Sequence, residues 1–243
     1  MKGKGKKQPL LNLLTGRFPE ESREALFAKV LCGDVFVDGV ATRSPKDLFE
    51  PNVEIVLSSQ GFVGRGGFKL DPILEAWKIS VAGRVFLDAG CSTGGFTDAL
   101  LQRGATGVHA VDVGTGVLDW KLRADERVWV HEGTNVMSLD VLDPQPHAAV
   151  ADLSFRSLRG AAAKILGLTI DHELIALAKP QFEWKNPPPS FDGVVAEDRI
   201  PEILDELKED LQREGVVWKK AAPSSVRGRR GNQEFLVWLS LAD

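Results

Sequence analysis

Residues 85–105 read VFLDAGCSTGGFTDALLQRGA. Val85-Phe86-Leu87 is a short apolar run, right for a buried parallel strand and too short for an independent helix. It ends in Asp88. Gly90, Gly94 and Gly95 follow, with Cys91, Ser92 and Thr93 between them. The pattern then turns helical: Phe96, Leu100 and Leu101 share a face, Ser92 or Thr93 is placed to cap the start, and Gly104 to close the end. Strand, glycine loop and helix form the first unit of a doubly wound sheet, where ligands sit at the carboxyl ends of the strands. Missing side chains let a ligand lie against the backbone, and a helix N-terminus offers free N–H groups.

The glycine spacing departs from the dinucleotide fingerprint G-x-G-x-x-G. Gly90, three residues and then the Gly94-Gly95 pair, with Asp88 just before, is similar to the S-adenosylmethionine loop of methyltransferases. A second acid, Asp112, ends the run Val108-His109-Ala110-Val111. An acid there can accept hydrogen bonds from both ribose hydroxyls of an adenosine cofactor. The expected cofactor contacts are Asp88, Gly90, Ser92, Thr93, Gly94, Gly95, Phe96, Asp112, Val113, Asn135 and Asp152.

With 243 residues and 43% hydrophobic content, the chain suits one large domain or two unequal ones. No apolar run approaches a bilayer span. The basic start MKGKGKKQPLLNLL lacks a cleavage site, so no signal peptide is expected. Cys32 and Cys91 lie too far apart in sequence to resemble a disulfide framework or metal site, and Cys91 reads as a space-filler. These features suit the cytoplasm, with no metal and no membrane partner. A monomer is slightly favoured.

Net charge is −4, but residues 1–70 carry +3 and the remainder −7. A basic front on an acidic body is the asymmetry of a chain whose one end meets RNA. The first seven residues hold four lysines. Leucines 10, 11, 13 and 14 then predict a first helix, broken by Gly16. Ser22 caps a second, Arg23 to Leu31, stopped by Gly33. Val35–Val37, Val40–Thr42 and Val53–Leu57 read as strands, with Asp38-Gly39 at a hairpin turn.

Farther along, FKLDPILEAWKI shows a helical stripe of Leu70, Ile73, Leu74 and Trp77, with Lys69 unfavourably placed near the helix start. In GTGVLDWKLRADERV a short helix places Trp120 and Leu122 inward. Val128–Val130 is a strand. Ala148–Ala151 is another, ending at Asp152, and a helix from about Leu158 to Leu166 follows. Leu174–Ala178 ends at Lys179. Asp88, Asp112, Asp152 and Lys179 therefore each end a predicted parallel strand, and four at matching positions indicate a site. Residues 183–199 form a proline-rich loop, either a lid or a connection. Ile200–Glu214 is an amphipathic surface helix. Val216–Trp218 and Phe235–Leu241 are the last strands, joined through the basic SSVRGRRGNQE.

Methyl transfer from a sulfonium needs chiefly alignment of the nucleophile. A ribose hydroxyl gains from a nearby base, and a lysine serves when cations or desolvation make its neutral form accessible. Lys179 with Asp152 and Lys69 supplies such a set.

Two resemblances sharpen this reading. SREALFAKVLCGDVFVDG, with two helices and a small sheet, resembles the RNA-binding module named after ribosomal protein S-four. It implies phosphate contacts at Ser22, Arg23, Lys29, Arg43 and Lys46. The module usually has Val-Asn-Gly where Val37-Asp38-Gly39 stands here. GRGGFKL, LDAGCSTGGFTDALLQRGA, VDVGTGVLDWKLRADERV, ADLSF, KPQFE and GNQEF resemble successive motifs of the hemolysin-A-like, TlyA-type ribosomal RNA methyltransferases. That resemblance implies an α/β, Rossmann-like S-adenosylmethionine-dependent methyltransferase domain of the FtsJ kind. Its sheet is mostly parallel with an antiparallel last strand, and it follows a small α+β RNA-binding domain. The expected division is 1–57 for tail and RNA-binding domain, 58–67 for the linker and 68–243 for the methyltransferase. It further implies a tetrad of Lys69, Asp152, Lys179 and Glu234, and transfer to a cytidine 2′-hydroxyl of ribosomal RNA. Further RNA contacts are placed at Arg65, Arg227, Arg229 and Arg230. The family usually carries Tyr at Thr115 and arginines around Gly133 and Met137; this chain has no Tyr. A non-catalytic RNA-binding protein and a haemolysin are the alternatives.

Overall fold

The computed structural model describes residues 6–38, 40–57, 61–228 and 230–242, with the side chains of Ala28, Cys32 and Ala41 excepted. Two compact units divide the chain, Met1–Arg65 and Gly66–Asp243. Strand β1 (Gln8–Pro9) leads into helix α1 (Leu10–Arg17). The expectation that Gly16 breaks this helix is not met: it lies in the last turn, and the chain leaves at Phe18. Helix α2 (Arg23–Cys32) starts where Ser22 Oγ accepts from the Ala25 N–H at 3.1 Å and ends at Gly33, φ +85°. Strands β2 (Val35–Val37), β3 (Val40–Thr42), β4 (Leu48–Phe49) and β5 (Ile55–Leu57) follow. The order β3-β2-β5 makes an antiparallel sheet, while β4 pairs with β1. Leu10, Leu14, Leu26, Val30, Val35 and Val37 form the core of this unit. Asp38, at φ +48°, accepts from the Glu54 N–H at 2.9 Å and so ties the turn to the run into β5. Its neighbour Gly39 lies outside the described residues.

The second unit opens with α3 (Gly66–Trp77), which begins inside the expected linker. Then come β6 (Val85–Ala89), α4 (Gly95–Gln102), β7 (Gly107–Asp112), α5 (Trp120–Arg123), β8 (Val128–Glu132) and β9 (Ala148–Ala151). Next are α6 (Ala161–Gly167), β10 (Glu173–Ala178), α7 (Pro180–Glu183), α8 (Ile200–Arg213), β11 (Val216–Pro223) and β12 (Phe235–Leu241). Seven strands order as β11-β12-β10-β9-β6-β7-β8. The pairs among β8, β7, β6, β9 and β10 are parallel, and β12 is antiparallel to both neighbours. Helices bury the sheet, so β6, β9 and β10 read as apolar runs.

Three expectations change. Trp120 is 72% exposed, because Leu118 and Leu122 fill the space beneath α5. The helix after ADLSF starts at Ala161, since Gly160 at φ +67° interrupts the approach. Helix α4 is entered through Gly94 at φ +98° with no side-chain cap from Ser92 or Thr93.

Candidate active site

The chain runs from β6 outward to β7 and β8, then returns across β6 to β9. At such a reversal the connections leave in opposite directions and a crevice opens at the carboxyl ends. A cavity of about 370 Å³ lies there. Gly90, Ser92, Asp112, Val113, Asn135 and Asp152 line it. Gly90, at φ +85°, sits so close to the loop after β9 that a Cβ would come within 2.6 Å of the Asp152 carbonyl oxygen. Asp112 accepts from the Ser92 and Gly114 N–H groups, each at 2.8 Å, which fixes the floor and leaves lone pairs on both oxygens. Asn135 accepts from the Met137 N–H at 3.0 Å.

Five expected contacts lie elsewhere. Thr93 is exposed outside the cavity lining, and its carbonyl accepts from Asp119 N–H. The Gly94 Cβ position is filled by Leu118 and Leu122, and the Gly95 position by the Gly66 backbone, 2.8 Å away. The missing side chains at both glycines let α4 pack. Phe96 is buried against Gly66. Asp88 is fully buried, and one carboxylate oxygen accepts from both the N–H and the hydroxyl of Thr97, at 3.0 and 2.7 Å. It caps α4 from the neighbouring strand. Burial pushes its carboxyl up to about 7. Burial likewise raises the Cys91 thiol, as suits a space-filler.

Beside the cavity stand two lysine–carboxylate pairs. Lys179 Nζ lies 2.6 Å from Asp152 Oδ1 and donates to the Leu153 carbonyl at 2.9 Å. Lys69 Nζ lies 2.6 Å from Glu234 Oε2. The antiparallel register explains their meeting: Ala178 faces Phe235, so Lys179 and Glu234 are at the next position on each strand. Helix α3 brings Lys69 over this edge. The Gly66–Gly95 crossing seats its start. Pro72, inside α3, cannot donate to the Phe68 carbonyl. Ser225 Oγ donates there instead, at 3.0 Å, from the segment that leads to Glu234. The unfavourable Lys69 position thus has its reason in Glu234.

Several residues escaped the sequence reading. Glu132 ends β8 and accepts from Leu118, Gly116 and Val117 N–H groups and from Arg123. Those backbone bonds hold its carboxyl down at about 2. A fifth charged residue at a strand end was the available signal. Glu183, raised by burial, accepts from Ser157 Oγ, from Leu158 N–H at 2.9 Å and from Arg159 at 3.2 Å. This network fixes the segment after Asp152. On it, Phe155 is 90% exposed at φ +58°, its ring 5.4 Å from Phe182.

The loop 184–199 is fastened to the segment before β12. Asn232 accepts from Val195 N–H and donates to the Gly193 carbonyl, each at 2.8 Å, and Arg230 donates to the Asp192 carbonyl. Arg227 pairs with Glu197 at 2.8 Å. Arg229 lies outside the described residues. In the first unit, Lys29 pairs with Glu21 at 2.7 Å, and Arg43 and Arg65 converge on Gly33. Ser22 is engaged as a cap, while Arg23 and Lys46 are exposed. Among the described residues no group of three His, Cys, Asp or Glu could hold a metal, and no helix is long and apolar enough to cross a membrane.

Comparison with known proteins agrees with this geometry. The model of the FtsJ-like methyltransferase family matches residues 62–241. The 16S/23S rRNA (cytidine-2′-O)-methyltransferase TlyA of Mycobacterium tuberculosis is 37% identical over 228 residues, 90% of this chain and 84% of that one. The 23S rRNA (cytidine-2′-O)-methyltransferase TlyA of Campylobacter jejuni is 32% identical over 198 residues, 80% of this chain and 78% of that one. A hemolysin-named structure from Streptococcus thermophilus matches with a TM-score of 0.73 at 34% identity, covering 98% of this chain and 90% of that one. With a parallel sheet reversed at its last strand and a family match over most of its length, this chain belongs to the FtsJ-like methyltransferase family.

Proposed function

We propose that the protein transfers a methyl group from S-adenosylmethionine to a ribose 2′-hydroxyl, that of a cytidine in ribosomal RNA. The observation that carries this is the double lysine–carboxylate arrangement beside the cavity. Ion pairs withdrawn from water cost desolvation and contribute little net stability, so a sealed pair beside a half-open one at the ligand-binding edge points to chemistry. The names of the two TlyA relatives supply the nucleotide and the RNA class.

The cavity volume suits a cofactor of this size. Asp112 is placed for the ribose hydroxyls, Val113 and Asn135 for the adenine, Gly90 and Ser92 for the backbone approach. When bound, S-adenosylmethionine supplies an activated methyl on a sulfonium. The chain's own groups do the rest. Lys179 donates one hydrogen bond, to the Leu153 carbonyl, and pairs with Asp152 by charge at 2.6 Å without a hydrogen bond to its Oδ1. Its remaining donors are available to hold a hydroxyl oxygen in line. Lys69 adds positive potential where the hydroxyl loses its proton, and Glu234 fixes Lys69. Phe155, exposed beside Phe182, offers a face on which a base drawn out of its stack can rest. The first unit, with Arg23, Lys29, Arg43, Lys46 and Arg65, is assigned to RNA phosphates in the manner of an S-four-type module. The site of action is the cytoplasm, where ribosomal subunits are.

The test is transfer of labelled methyl to purified small subunits, large subunits and naked ribosomal RNA. Label in an alkali-stable dinucleotide of one of these is expected. No label in any of them, with cofactor binding intact, would overturn the reading.

A further inference from the structure

The cavity has one cation in its wall. Asp112 and Asp152 supply negative charge, and Arg156 alone supplies positive charge among the described lining residues. Both acids are already engaged, Asp112 by two backbone N–H groups and Asp152 by Lys179. Arg156 is exposed and has no ion pair or hydrogen bond among the described residues. Its neighbours are the reverse. Leu153 is held through its carbonyl by Lys179, and Ser157, Leu158 and Arg159 are held by Glu183. Arg159 also pairs with Asp210 at 2.6 Å. Arg156 thus stands, with the exposed Ser154 and Phe155, between two tied points of the segment, and its guanidinium is free.

A guanidinium offers a planar fork of donors that matches an oxyanion. On the reading above, which this inference rests on, the reacting 2′-hydroxyl lies at Lys179. The adjacent carbon of that ribose carries the 3′-phosphodiester, so a phosphate oxygen must stand close to the reacting group. Arg156 lies four residues beyond Asp152 on the same anchored segment and lines the same cavity. We propose that Arg156 binds the phosphodiester on the 3′ side of the target nucleotide and so sets the position of the 2′-hydroxyl. The other oxyanion within reach of this wall is the α-carboxylate of the cofactor, and the test separates the two.

The experiment compares the full chain with Arg156→Ala and Arg156→Lys. Affinity for S-adenosylhomocysteine is measured by calorimetry on the protein alone. Affinity for the ribosomal substrate and methyl transfer are measured across a range of salt. Arg156→Ala is expected to raise KM for the RNA substrate about tenfold, the loss of one charge-assisted contact. The slope of log affinity against log salt should fall by about 1. S-adenosylhomocysteine affinity should stay unchanged, kcat at saturating RNA should fall because the 2′-hydroxyl is less well aligned, and Arg156→Lys should keep the salt slope. An unchanged RNA KM and slope would overturn the proposal. Weaker S-adenosylhomocysteine binding with an unchanged slope would also overturn it, in favour of the carboxylate. Failure of the wild type to methylate any ribosomal substrate would reject the functional reading, a result visible before any variant is compared.

Discussion

The two lysine–carboxylate pairs share a separation of 2.6 Å and differ in their surroundings. Lys69–Glu234 is sealed, with side chains 9% and 5% exposed. Lys179–Asp152 opens on the cavity through Asp152, which is 26% exposed. The open pair joins residues on neighbouring parallel strands, and the sealed pair joins a helix to the last strand of the sheet. A sealed pair has no water to accept its charge when a partner is lost, whereas an open pair can exchange one partner for water or substrate. On the proposed function the same chemistry serves two ends: the open pair meets the reacting hydroxyl, and the sealed pair, which ties α3 to the segment entering β12, shapes the field.

Four substitutions test that division. Lys179→Ala should lower methyl transfer by about 10²–10⁴-fold, the span of acid–base and positioning groups. Cofactor affinity should barely change and stability should fall less than at Lys69, because Asp152 is partly open to the cavity. Lys69→Ala should cost about 3–5 kcal/mol of stability, since it leaves Glu234 buried and uncompensated; denaturant titration measures it. Pairing Lys69→Met with Glu234→Gln should restore most of that stability without restoring transfer. If both pairs behaved alike in denaturant, the distinction between sealed and open would fail.

Gly95→Ala probes the seat of α3. Its Cβ would stand 2.8 Å from the Gly66 Cα and N, backbone atoms that cannot turn aside. A loss of about 1–3 kcal/mol is expected, with Lys69 displaced and turnover reduced; a neutral melting curve would count against the crossing. An effect visible only as pH changes concerns Asp88, a buried carboxylate on the same edge with Thr97, not a lysine, as its hydrogen-bond partner. The folded protein keeps its proton up to about pH 7, while an unfolded chain releases it near pH 4. Stability from this group therefore falls as pH rises between about 4 and 7. Asp88→Asn keeps an acceptor for Thr97 and removes that slope. Parent and variant should melt together near pH 4 and the variant should melt higher at pH 8. Parallel curves at both pH values would contradict the burial argument.

The open pair was legible in the sequence because its parts end consecutive apolar runs. Periodicity alone placed Asp112, Asp152 and Lys179 at one edge of a parallel sheet. The sealed pair was not legible that way. Lys69 and Glu234 are 165 residues apart, and only the resemblance of GRGGFKL and GNQEF to family motifs set them together. What the pattern misassigned was the use of small residues. Gly94 and Gly95 looked like space for a ligand and are space for leucines and another glycine. Spacing shows that a side chain is missing, but only tertiary packing shows what fills the gap. Trp120 failed for a related reason: a four-residue helix has too little periodicity to say which face is inward. Arg156 carried no signal, since a lone arginine in a loop gains meaning only from the cavity it lines.

On the proposed function, Lys179 aligns the substrate hydroxyl beside a cofactor cavity that forms without it. The most direct measurement is single-turnover methyl transfer to the ribosomal substrate by wild type and Lys179→Ala, each saturated with S-adenosylmethionine, alongside calorimetric affinity for S-adenosylhomocysteine. A fall of at least about 10²-fold in the rate with unchanged affinity is expected. A wild-type rate in the variant, or a loss of rate matched by loss of cofactor affinity, would contradict it.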